Sequence, residues 1–72
     1  MSHNITPIVN AEAQKHINEF LKQGFSEEES IRKALDKIKE LKKKDPLVAM
    51  YWELEKSLIS KQIKIREKNG KN

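Results

Sequence analysis

The sequence predicts an all-α fold. It reads as a short three-helix domain in which helix 2 and helix 3 form an antiparallel hairpin and the C-terminal helix is the longest. Three observations carry this. Apolar residues recur at 3.6-residue spacing along most of the chain. Strand-like alternation is limited to Ile63-Lys64-Ile65. The two internal joints carry the residues that stop helices, Gly24 at one and Asp45-Pro46 at the other. The 72 residues make one small domain, 1–72, with 1–6 and 69–72 expected as flexible ends.

Helix 1 is expected to begin at Thr6, with Pro7 in its first position, or at Asn10 as the cap. Val9, Ala13, Ile17, Phe20 and Leu21 share one face. Gly24 ends it, since glycine adopts the left-handed cap conformation without steric cost.

Helix 2 is expected to begin after Ser26. The stretch Ser26-Glu27-Glu28-Glu29 is a capping box, in which the serine covers a free backbone N–H and Glu29 reaches back to the cap. Ile31, Ala34, Leu35, Ile38 and Leu41 form one narrow stripe. Phe25, before the cap, would meet Ser30 at the staple position, so its ring must pack elsewhere. Acid at the front and Lys42, Lys43 and Lys44 at the back suit the partial charges of the helix ends. Glu28–Arg32 and Glu29–Lys33 are expected as side-chain pairs one turn apart. This charge polarity therefore reads as the chemistry of a solvated helix, not as a binding surface.

Asp45-Pro46 is expected to stop helix 2 and cap helix 3, with Pro46 in its first position. Helix 3 would run from Pro46 towards Lys68, roughly 34 Å against roughly 25 Å for helix 2, so its last turns overhang. Leu47, Met50, Tyr51, Leu54, Leu58 and Ile65 lie on one face. Val48, Trp52, Ile59 and Ile63 lie on a second, roughly 100–140° away.

Composition narrows function. There is no cysteine, so neither a disulfide framework nor a thiolate metal site staples the fold. A chain this short buries only about 60% of its unfolded surface, so it must rely on well-packed helices or on association. The net charge of +4 is uneven: residues 1–55 hold nine Lys/Arg against ten Asp/Glu, and residues 56–72 hold six against one. No run has the ~18 apolar residues of a membrane span, and the N-terminus lacks a signal-peptide pattern, so the chain reads as cytoplasmic. His3 and His16 are far apart; His16, near Glu12 and Glu19, lacks further strong ligands. No nucleophile–base set or phosphate-cradling glycine loop is evident, so no catalytic, cofactor or metal residues are assigned and no enzyme activity is expected.

Leu21–Leu35, "LKQGFSEEESIRKAL", resembles two known turns through Gly24-Phe25-Ser26: the helix-turn-helix of DNA-binding repressors and the loop of ubiquitin-associated domains. Each resemblance covers fifteen residues. Both families place an apolar residue four positions after the serine, where this chain has Ser30; Ile31 comes one later, a shift of about 100°. The helix-turn-helix resemblance implies DNA contact by the first turn of helix 2, and Glu27-Glu28-Glu29 would be repelled there. The stretch therefore reads as a generic helix–glycine turn–helix. The hairpin around Lys44-Asp45-Pro46 resembles, in architecture and without a shared motif, small bacterial secretion accessory proteins.

Two candidate surfaces remain, both on helix 3. The stripe of Val48, Trp52, Ile59 and Ile63 exceeds what a three-helix monomer needs, and tryptophan is enriched at binding hot spots. It reads as a partner interface, for a homodimer or another helical protein, against the alternative of a wide core face. Lys61, Lys64, Arg66 and Lys68 are candidate phosphate contacts. Few aromatics interleave with them, so lysine placed for helix-end charge and solubility is the plainer reading. The sequence thus points to a protein-binding adaptor, chaperone or regulator, with nucleic-acid association as the alternative.

Overall fold

The computed structural model describes residues 6–70, and among them the chain forms three α-helices and no strand. They are α1 (Thr6–Lys22), α2 (Glu27–Lys44) and α3 (Ala49–Gly70). The helix reaches through Asn69 and Gly70; the rest of the expected flexible ends, apart from Thr6 in α1, lies outside the described residues.

Nine apolar residues make the core: Val9, Ala13 and Ile17 of α1, Ile31, Ala34, Leu35 and Ile38 of α2, and Leu54 and Leu58 of α3. Phe20, Leu41, Met50, Tyr51 and Ile65 pack around its edge. These are the stripes the sequence pattern marks, with two exceptions. Leu21 is 38% exposed, because Phe20 takes the inward place at the end of α1. Leu47, expected on the packing face of helix 3, is 97% exposed.

The first joint is a full helix stop. Phe25 N–H donates to Phe20 O (3.3 Å) and Gly24 N–H to Leu21 O (3.0 Å), with Gly24 at φ 101°. This paired pattern ties off the last carbonyls of α1, and it brings together the apolar residues flanking the stop. The Phe20 and Phe25 rings meet edge to face, 6.3 Å between centroids. Ser26 then caps α2: Glu29 N–H donates to its Oγ at 3.2 Å.

Charge pairing on α2 departs from expectation. Glu29 pairs with Arg32, one turn of three residues, while Lys33 instead sits 4.6 Å from the centre of the Phe25 ring. An aromatic face desolvated by Phe20 competes well for a lysine on this side of the helix.

The second joint differs from the expected immediate restart. Asp45 closes α2, its N–H donating to Leu41 O at 2.9 Å, and Val48 N–H donates back to Asp45 O at 3.2 Å. Pro46 therefore occupies the second position of a four-residue turn, where its fixed φ fits, and α3 starts only at Ala49. Leu47 sits at the tip of this turn, which explains its exposure. Contacts between helices hold the three in place. Lys42 pairs with Glu55 at 2.5 Å, Lys37 with Glu19 at 3.5 Å, and Ser57 donates to Asn10 Oδ1 at 3.0 Å. Near the other end of α3, Asn69 donates to Glu28 Oε1 at 3.4 Å.

Candidate partner interface

The four residues of the outer stripe do not form one uniform surface. Val48 lies in the turn before α3 and is 37% exposed. Trp52 is 46% exposed but is held within the chain. Its indole N–H donates to Pro46 O at 2.8 Å, and Lys42 Nζ stands 4.2 Å from its ring centre. Lys42 also pairs with Glu55. Tryptophan, lysine and glutamate thus latch the end of α2, the turn and the start of α3 together. This role follows from the chain's own contacts, and the spacing alone had not shown it.

Ile59 and Ile63 are different. They are 38% and 52% exposed and share an open groove with Lys56, Ser60, Lys64 and Glu67. Every residue lining that groove belongs to α3, so neither α1 nor α2 covers this side. Four residues apart on a helix, the two isoleucines stand one above the other, about 6 Å along the axis.

The basic residues divide. Lys61 is half-buried, and with Lys64 it lines a recess beside Gln14, Ile17, Glu27 and Ile31. Arg66 lines a separate recess with Ser26, Glu28, Glu29 and Arg32. Lys68 is exposed. Acidic residues of the first turn of α2 lie beside these two recesses, which lowers the positive potential a phosphate chain would meet there, while a third recess, against α1, gathers Lys56, Lys61 and Lys64 with Glu53. The basic end of α3 and the acidic start of α2 complement each other across the fold.

His16 is more enclosed than an exposed helix position. Its side chain is 14% exposed, with Nε2 3.6 Å from Glu12 and Nδ1 3.8 Å from Glu19. Among the described residues, no group of three or more His, Asp or Glu is placed to hold a metal ion. Among them too, no helix is long and apolar enough to cross a membrane. Comparison with protein-family models, curated proteins and solved structures finds no match.

Proposed function

We propose that the chain is a non-enzymatic protein-interaction module, an adaptor, chaperone or regulator that engages a helical partner through the outer side of α3. The carrying observation is Ile59 and Ile63 side by side in a groove that no other helix covers. Isoleucine is a poorer helix former than lysine, glutamate or glutamine, and in water it forfeits its burial energy. Placed at two positions one turn apart, it is accounted for by an apolar surface of a partner. In this reading α2 and α3 act as an antiparallel hairpin, supported by Lys42–Glu55 near one end and Glu28–Asn69 near the other. The hairpin makes α3 a stiff rod that presents the stripe.

The test replaces Ile63 with a photo-reactive phenylalanine analogue in the full chain and irradiates it in cells. An adduct with a polypeptide, lost when Ile59→Asp is added, is the expected result. Absence of any polypeptide adduct, together with nucleic-acid retention that falls steeply with salt, would instead favour Lys61, Lys64, Arg66 and Lys68 as phosphate contacts.

A further inference from the structure

We infer that the outer side of α3 binds a second copy of this chain, α3 against α3, antiparallel about a two-fold axis crossing the helix near residue 61. The inference rests on the interaction reading above and names its partner. In an antiparallel pair related by a two-fold axis, residues equidistant from the axis on opposite sides face each other, and each contact occurs twice. Three pairs on this side of α3 share a centre to within half a residue. Ile59 and Ile63 are centred on position 61. Lys56 and Glu67 are centred midway between 61 and 62. Trp52 and Gly70 are again centred on 61.

A single axis therefore brings each Ile59 onto the Ile63 of the second copy, making a four-isoleucine cluster. It sets Lys56 opposite Glu67 twice. It lays each half-exposed Trp52 ring over Gly70, which has no side chain to obstruct it and, among the described residues, open space where a Cβ would stand. Lys56 and Glu67 lie on the same flank of the stripe, about 20° apart around the helix, as such facing requires. Neither makes an ion pair with another helix among the described residues. Lys56 is largely in water, its contact with Glu53 being 3.7 Å long, and Glu67 is in none of the ion pairs among the described residues. Arg66 stays clear of Lys56 of the second copy, because it lies on the other flank, in the recess with Glu28 and Glu29.

Sedimentation of the full chain across a range of concentrations tests this, with circular dichroism confirming that each variant keeps its helices. Wild type is expected to dimerise reversibly. Lys56→Glu and Glu67→Lys each create two like-charge contacts, and each should weaken dimerisation by about tenfold or more. An equimolar mixture of the two variants should regain nearly wild-type affinity, because every facing pair in the mixed dimer is again of opposite charge. Positions 56 and 67 are eleven residues apart on one helix, so no contact within a chain produces that rescue. A wild type that stays monomeric at high micromolar concentration overturns the inference. A dimer whose single variants are not rescued by mixing overturns the antiparallel register. A monomer that still forms an Ile63 adduct with a different polypeptide overturns self-association alone, leaving the interaction reading in place; a monomer with no adduct sinks both.

Discussion

Leu58 and Ile59 are neighbours in sequence, yet Leu58 is fully buried and Ile59 is 38% exposed. The same contrast runs along α3. Its inner side, with Leu54 and Leu58, is closed by α1 and α2, and its outer side, with Ile59 and Ile63, is left open by both of those helices. Two helices pack on one face of a third, and what lies on the opposite face must meet water or another molecule. An apolar stripe is therefore not by itself a core, because the number of helices available decides which stripe is covered.

The strongest way to break the comparison is to weaken the inner side. Leu58→Ala removes a fully buried side chain from a small core and should cost about 2–5 kcal/mol, read as a shift in urea midpoint with unchanged slope. A loss under 1 kcal/mol would mean that the inner stripe is no more structural than the outer one.

The core that α3 packs against carries a polar flaw on α2. Ser30 is fully buried and its Oγ has no hydrogen-bond partner among the described residues. Ser30→Ala removes an unsatisfied hydroxyl without changing shape, so it should raise stability by about 1 kcal/mol. A loss instead would show that the hydroxyl is bonded in solution. Trp52 sharpens the contrast because it belongs to both sides. Trp52→Phe keeps a ring beside Lys42 but removes the N–H bonded to Pro46 O, and should cost about 0.5–1 kcal/mol by thermal melting.

Sequence pattern was enough to find the helices and the core, for reasons visible at particular residues. Gly24 and Ser26 act through local backbone geometry, so the stop and the serine cap of the first joint were legible, whereas Glu29, expected to reach back to the cap, pairs with Arg32. The second joint was not legible. Asp45-Pro46 suits both a helix start and a turn, and the choice went to a turn closed by Val48 N–H and braced by Trp52. That brace spans α2, the turn and α3, and such a meeting has no signature in spacing. Ser30 shows the same limit. Its polarity set it apart from the apolar stripe of α2, yet it is fully buried next to Ile31. In the stripe, Ile59 and Ile63 were legible as a pair, whereas the partial commitment of Trp52 required the fold.

The smallest expected effect on the folded monomer is the most informative. Ile63 is half-exposed and touches an open groove, so Ile63→Asp breaks no core contact. Its cost to the isolated monomer should stay within about 0.5 kcal/mol, as for surface substitutions generally. At high concentration the same variant should melt well below wild type, because association adds stability only to a chain that can still associate. The measurement is therefore two melting series, dilute and concentrated, for both proteins. Curves that coincide when dilute and separate when concentrated assign the outer stripe to contact between molecules. A large gap that persists at the lowest concentration would place Ile63 in the core, and would make the two sides of α3 alike.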